Sequence, residues 1–399
     1  MLSDQARPII EATLPLVGER LPRITPNFYA RLFAAHPELL DGLFSRSNQK
    51  NAKQQQALAG SIAAFATHLV NNPGTLPESV LSRIAHKHAS LGIVEEQYPI
   101  VYKYLFEAIA EELADVITEE IANAWSEVYW LMAHALVKIE KGLYAATAND
   151  KPWSPWVLVA KQNAGIGSMT FIFEPADETP VSPARPGQFV SVRVAMADGI
   201  KQVRQYSLHS DTHAAQRIFT TKIDNDGEVS PVLHRDVKVG DVLELSNPYG
   251  DVTLGEGDHP LVLASAGIGC TPTASILRSL AEQDSDREVL VLHADQQLES
   301  WALKEQMSSD VQKLDSAHLQ LWLERPEDGS LSQDGTAPEG INKGFMTLEG
   351  LDIPADASVY LCGPLPFMKS IRSQALATGI PAERIHYEVF GPDLWLASA

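Results

Sequence analysis

Ala264-Ser265-Ala266-Gly267-Ile268-Gly269-Cys270-Thr271-Pro272 decides how the C-terminal third of this chain folds. It joins an apolar run, Leu261–Ser265, to a helical pattern. Glycines let a backbone approach a pyrophosphate, and a helix N-terminus favours its charge. Pro272 suits a first helical turn. The stretch lacks the full G-x-G-x-x-G pattern, so alone it is a weak dinucleotide signal. Its surroundings strengthen it. Leu261–Ser265, Glu288–Ala294, His318–Glu324, Ser358–Cys362 and Ile385–Val389 read as buried strands, with helical patterns between most of them. That alternation predicts a parallel α/β sheet over residues 258–399. Two more strand-end segments follow, Tyr360-Leu361-Cys362-Gly363-Pro364 and Tyr387-Glu388-Val389-Phe390-Gly391-Pro392. The acidic, Gly/Pro-rich stretch Pro326–Gly340 reads as a surface loop.

Upstream, residues 149–257 change character. A linker at Asn149–Pro155 is marked by Pro152 and Pro155. Trp156–Lys161, Met169–Glu174, Gln188–Ala195, Val203–Leu208 and Arg217–Ile223 are β-rich and separated by Gly, Pro and Asp turns. They predict an antiparallel barrel. Arg204-Gln205-Tyr206-Ser207 ends one of these runs. Residues two apart share a strand face, so Tyr206 could meet a flavin ring while Arg204 meets its pyrophosphate. Arg185-Pro186-Gly187-Gln188-Phe189 lies before it. Gly227-Glu228-Val229-Ser230 lies after it, with amides and a hydroxyl able to hold phosphate.

In this order, these segments resemble the ferredoxin-reductase-type FAD/NAD(P) module over about 155–395. The resemblance implies that Arg204, Gln205, Tyr206 and Ser207 bind FAD. It also implies that Gly267 to Pro272 bind the nicotinamide dinucleotide, with Cys362 and Gly363 beside the nicotinamide. In a dinucleotide fold the residues after the second strand meet the adenosine ribose, where an Arg accommodates a 2′-phosphate. No Lys or Arg occurs from Glu288 to Leu303, which leans towards NADH over NADPH.

Residues 1–148 read as helices. Leu58, Ile62, Phe65 and Leu69 form one stripe, and Val80, Ile84 and His88 a second. Val128, Met132, Leu136, Ile139 and Leu143 form a third. A helical domain joined to such a reductase needs an electron acceptor, and a haem with an axial ligand is a natural one. His36, His68, His86, His88 and His134 are available. His88 continues an apolar stripe and is expected to face the interior; His68, at the edge of its stripe, is second choice. On the opposite side of a haem, Tyr29, Phe44 and Gln54 are candidates, Gln54 sharing a helical face with Leu58. Each is equally compatible with an ordinary core or solvated position. Glu140 sits at the edge of the third stripe, where an unpaired acid is costly.

Asn27-Phe28-Tyr29, the Phe44–Leu58 segment, Ala85-His86-Lys87-His88 and Glu96-Gln97-Tyr98, ahead of the reductase, resemble bacterial and yeast flavohaemoglobins along essentially the whole chain. The resemblance implies three domains: a globin carrying haem b, an FAD barrel and an NAD(P) domain. It implies that His88 is the proximal iron ligand, with Tyr98 and Glu140 in its network. Tyr29 would hydrogen-bond the oxygen ligand, Gln54 and Leu58 would line the distal side, and Phe44 would pack on the haem. Phe189, Gly227, Val229, Ser230, Glu388, Val389, Phe390, Gly391 and Pro392 would contact or flank the flavin. Lys87 and Glu388 would tune redox potential. The activity implied is a nitric oxide dioxygenase, with electrons passing from NAD(P)H through FAD to haem and nitrate formed from O2 and NO. A haem-based O2 or NO sensor and a hydroperoxide reductase are the alternatives. Cys270 stands where the family commonly has Gln, Phe189 where it has Tyr, and Val252 where it has an aromatic.

Composition agrees with this class. Hydrophobic content of 45% and charged content of 21% suit a soluble multidomain protein. The 51 acidic residues against 31 basic give a net charge of −20, which argues against nucleic acid or anionic lipid as partner. Two cysteines outside any Cys-x-x-Cys or zinc spacing suit a reducing compartment. Met1 to Arg20 does not read as a signal peptide, and no apolar run reaches membrane-span length. The expectation is a cytoplasmic monomer acting on small molecules.

Overall fold

The computed structural model describes residues 1–44, 46, 52–209, 215–325 and 340–393. The loop expected at Pro326–Gly340 lies outside these residues except for Gly340, as does part of the Phe44–Leu58 segment. The described chain forms two compact units. One holds residues 1–153, 193–204 and 391–393; the other holds 154–192 and the described part of 205–390.

Among the described residues the first unit holds five α-helices: α1 (Ala6–Ala35), α2 (Lys53–Asn71), α3 (Glu78–Leu91), α4 (Tyr98–Glu112) and α5 (Glu119–Ala145). Three prolines, Pro15, Pro22 and Pro26, lie inside α1. Each removes an amide donor, which usually breaks a helix. Here packing overrides that cost, because Ile10, Val17, Leu21, Ile24, Phe28 and Leu32 form one buried stripe. α1 packs on α2, α4 and α5, and α3 packs on α5. α3 stops at Gly92, whose φ of +77° suits glycine; Ile93 N–H returns to the His88 carbonyl at 3.1 Å. Residues 193–204 belong here because Gly42 N–H donates to the Lys201 carbonyl at 2.8 Å, and Lys201 N–H to Asp41 Oδ1 at 2.7 Å.

The β-rich region forms a six-stranded sheet. Its strands are β1 (Trp153–Gly165), β2 (Ser168–Pro175), β3 (Phe189–Ala195), β4 (Lys201–Ser207), β5 (Arg217–Lys222) and β6 (Val242–Ser246). The order is β4-β3-β6-β1-β2-β5, and the β1–β2 and β2–β5 pairs are antiparallel. All five expected strands are present. β6, three of whose five residues are exposed or half-buried, is an addition that the sequence pattern did not announce. A short helix, α6 (Val229–Arg235), precedes it.

The second sheet is parallel, as the α/β alternation predicts. It holds β7 (Leu261–Ala266), β8 (Val289–Asp295), β9 (Ala317–Leu323), β10 (Ile341–Lys343), β11 (Ser358–Cys362) and β12 (Ile385–Glu388), in the order β10-β9-β8-β7-β11-β12. The three-residue β10 was not expected. α7 (Cys270–Glu282), α8 (Lys304–Gln312) and α9 (Leu365–Ala377) connect the strands. The order reverses between β7 and β11, and open α/β sheets bind ligands at such a switch point. Among the described residues no helix is long and apolar enough to cross a membrane.

Candidate active site

α3 and α5 bring the first site together. His88 Nδ1 lies 2.8 Å from Glu140 Oε1 and 3.1 Å from the Tyr98 hydroxyl. The Tyr98 hydroxyl donates to the same Glu140 oxygen at 2.6 Å. Tyr129 fixes the start of α4 by donating to the Tyr98 carbonyl at 2.7 Å. Glu140 is buried, its side chain 3% exposed, whereas the adjacent Lys141 turns outward to Glu95. Burial first, and then the Glu140 charge, push the Tyr98 hydroxyl well above the usual tyrosine range, so it stays an O–H donor. A carboxylate only accepts, so Nδ1 is the donating nitrogen and Nε2 is left on the opposite edge of the ring.

His88 is not on the fully buried stripe. That stripe is Leu81, Ala85 and Ala89, one residue further on. Val80, Ile84 and His88 are half-buried, and the His88 side chain keeps 31% exposure. His88 thus sits on the half-buried face beside that stripe. The other histidines have different surroundings. His68 Nε2 meets Thr75 Oγ1 at 3.1 Å at the end of α2, His36 meets Glu38 at 3.0 Å, and the exposed His134 on α5 lies tilted against Trp130, ring centroids 5.6 Å apart.

A second cluster of the helical unit gathers around Tyr29. Its ring is 5.6 Å from Phe33 and 5.9 Å from Phe44, and Phe33 and Phe44 are 5.2 Å apart. Gln54 hydrogen-bonds the Tyr29 hydroxyl. Burial pushes that hydroxyl far above its usual range, so it too remains protonated. Phe44, Leu58, Ile62, Ile84 and Ile139 are half-buried apolar side chains packed against the core.

In the antiparallel sheet, Arg204 and Tyr206 lie two apart on β4, and Tyr206 stacks on Phe219 at 5.0 Å. Gln205 Nε2 donates to Ser191 Oγ at 2.9 Å. The Ser207 hydroxyl is buried without a hydrogen-bond partner among the described residues. Phe189 is buried, and an added Cβ at Gly250 would come within 3.2 Å of its ring. Gly227 precedes α6. Val229 and Ser230 are buried on it, and the Ser230 hydroxyl accepts the Asp224 N–H at 2.9 Å. That hydroxyl is thus already engaged, so a phosphate reading of the segment falls on its amides.

At the switch point the parallel sheet aligns four residues in one row. His293 pairs with Ser265, Ser265 with Cys362, and Cys362 with Glu388. The Gly267-Ile268-Gly269 turn leads into α7, whose first turn contains Thr271 and Pro272. Gly269 can only be glycine here: a Cβ would lie 2.4 Å from the Cys362 carbonyl oxygen. Gly363 closes the facing turn. Val389 and Phe390 follow β12, and Phe390 is 46% exposed. Burial and the Glu388 charge push the Cys362 thiol up. Burial and the Asp295 charge do the same to Cys270, whose Sγ donates to the Ala302 carbonyl at 3.3 Å.

Sequence reasoning missed Lys222. It lies on β5, yet its charge acts on both Cys270 and His293. Its strand packs against the Gly267–Gly269 turn. It also missed the buried contact of Ser265 Oγ with His293 Nδ1 at 2.9 Å, under the stacked ring of Trp301.

The fold and these sites define a helical domain of globin type joined to a two-sheet reductase. Residues 26–136 match the globin family model, and residues 263–373 match that of the oxidoreductase NAD-binding domain. A flavohemoprotein of Chromobacterium violaceum is 39% identical, with 98% of each chain covered. The structure of a flavohemoglobin from Malassezia yamatoensis, with bound FAD and heme, is 41% identical with a TM-score of 0.91, covering 98% of this chain and 100% of that one. The flavohem-like FAD/NAD-binding domain of nitric oxide dioxygenase from Vibrio cholerae is 33% identical with a TM-score of 0.55, covering 61% of this chain and 100% of that one. The chain belongs to the flavohaemoprotein family.

Proposed function

We propose that this chain is an NAD(P)H-dependent nitric oxide dioxygenase that converts O2 and NO to nitrate. The observation that carries the reading is the contact of His88 with Glu140 and Tyr98, on one chain with a full set of reductase turns. Bound FAD would take the electron pair of NAD(P)H and release electrons singly, and bound haem would use them to oxidise NO with O2.

The residues fit these groups. His88 offers Nε2 to iron while Glu140 holds Nδ1, which fixes the ring and strengthens it as a donor. Half-buried Phe44, Leu58, Ile62 and Ile84 suit an apolar macrocycle. Tyr29, oriented by Gln54, supplies an O–H to the oxygen ligand. The unpartnered Ser207 hydroxyl, the half-buried Tyr206 ring, Arg204, Gln205 and Phe189 suit FAD, with Gly227, Val229, Ser230 and residues 388–392 around it. Gly267 to Pro272, Cys362 and Gly363 suit a nicotinamide dinucleotide at the switch point. Lys87 and Glu388 would bias the redox potentials. The working domains are residues 1–148, 149–257 and 258–399. The middle sheet closes as a barrel, a reading supported by the Leu208–Phe219 bridge between its edge strands. The two buried free thiols suit the cytoplasm.

The test uses purified holoenzyme, with NO consumption, NADH oxidation and nitrate measured together. NO consumption that depends on NADH and O2 and yields nitrate is expected. A protein without a Soret band, or one whose ferric haem NADH never reduces, overturns the proposal.

A further inference from the structure

The last described residues, 391–393, are packed with the helices, and the Phe390–Gly391 bond is one of four places where the chain passes from one unit to the other. α3 holds them at two points. Lys87 Nζ donates to the Gly391 carbonyl at 2.5 Å, and Arg83 Nη1 meets Asp393 Oδ2 at 3.3 Å. Residues 83 and 87 are one turn apart on the same helix face. The Arg83 and Asp393 side chains are only 21% and 19% exposed, so salt screens this pair less than an ion pair at the surface. Residue 88, next to Lys87, is the proposed iron ligand. Residues 388–390, just before Gly391, end the proposed flavin site. One helix therefore carries the proposed haem ligand and holds the segment that follows the proposed flavin site.

We propose that Arg83 and Asp393 are positioning residues for electron delivery: their ion pair fastens the segment that ends the flavin site to the helix that carries the haem ligand. The inference rests on the haem–flavin reading above. Neither residue touches a cofactor in it, so loosening the pair should spare the NADH-to-flavin step and slow the flavin-to-haem step. Lys87 alone does not make the clasp, because one hydrogen bond to a glycine carbonyl leaves the segment free to pivot about that point. A second anchor one turn away removes that freedom.

The experiment compares full-length holoenzyme with Arg83→Ala, with Asp393→Ala, and with the swap Arg83→Asp/Asp393→Arg. Stopped-flow spectroscopy follows flavin bleaching by NADH and haem reduction separately. Hydrogen–deuterium exchange follows the peptide containing residues 391–393. In both single variants flavin bleaching should be unchanged, haem reduction slower by about threefold or more, and exchange of the peptide faster. The swap should restore both readouts. Raising salt should slow haem reduction in the wild type more than in the single variants. Unchanged haem reduction in both single variants overturns the clasp, and so does a loss that the swap fails to restore. If wild-type haem is never reduced, the functional reading falls instead, and the exchange measurement alone still decides whether the pair holds the segment.

Discussion

In the helical unit the candidate site is three side chains meeting at one carboxylate oxygen. At the head of the parallel sheet it is turns of backbone set side by side. The first arrangement depends on the chemistry of His88, Tyr98 and Glu140, each delivered by a different helix or helix end. The second depends on the absence of side chains, since Gly269 reaches the Cys362 carbonyl only because it lacks a Cβ. A site made of side chains should fail when a functional group is removed. A site made of backbone should fail when an atom is added. The two should also fail independently, because sites that share no partner behave additively.

The largest effect is expected from His88→Ala. It removes the nitrogen that Glu140 orients, and haem should be lost from the purified protein, read as the disappearance of the Soret band. NADH-dependent reduction of ferricyanide should stay within about twofold of wild type. Loss of both readouts together would break the comparison, because the reductase would then depend on the helical site.

Gly269→Ala is the opposite intervention. Its new Cβ would sit 2.4 Å from the Cys362 oxygen and 2.7 Å from the Gly363 nitrogen, so backbone must move. Overpacking of this kind costs about 1–3 kcal/mol, so NADH-driven flavin reduction should lose about tenfold in efficiency while haem content is unchanged. Gly267→Ala sharpens the point. Gly267 has a φ of +55° and open space around it, so alanine pays only for its conformation, about 1 kcal/mol. If the two variants behave alike, close approach at Gly269 is not what the turn requires.

The two sites were not equally legible in the sequence. Turn chemistry is local, so the Gly267–Gly269, Cys362–Gly363 and Arg204–Ser207 segments, and most strands, stood out in the linear pattern. The helical site was legible through its family resemblance more than its periodicity. The stripe through Val80 and Ile84 pointed to His88, but the side chains that are fully buried are Leu81, Ala85 and Ala89. If that face meets the haem, as proposed, the protein's own side chains cover it only in part, so it reads as a weaker stripe. Glu140 beside Lys141 also fits a solvated helix end, the less favoured reading of the sequence; its burial and its bonds to His88 and Tyr98 decide against it. Sheet order was not legible at all. The contact of Gly269 with Cys362 arises from non-local strand pairing that no window of sequence contains.

The smallest expected effect is also the finest test of the helical site. Glu140→Gln keeps the volume and the acceptor oxygen, so both the His88 Nδ1–H and the Tyr98 O–H can still donate to it. What it removes is the negative charge, and what it adds is a buried amide N–H2 with no evident acceptor, a cost of about 1–3 kcal/mol in stability. Haem should therefore be retained. The imidazole, facing a neutral acceptor, should be a weaker donor, so the iron–histidine stretching frequency should fall and the haem reduction potential should rise. Tyr98→Phe should move both in the opposite direction and by less, because the carboxylate keeps its charge and, with one donor fewer, accepts more strongly from His88 Nδ1. If Glu140→Gln shifts neither quantity while Tyr98→Phe shifts both, the charge of Glu140 is not what this arrangement supplies, and its role reduces to holding Tyr98 in place.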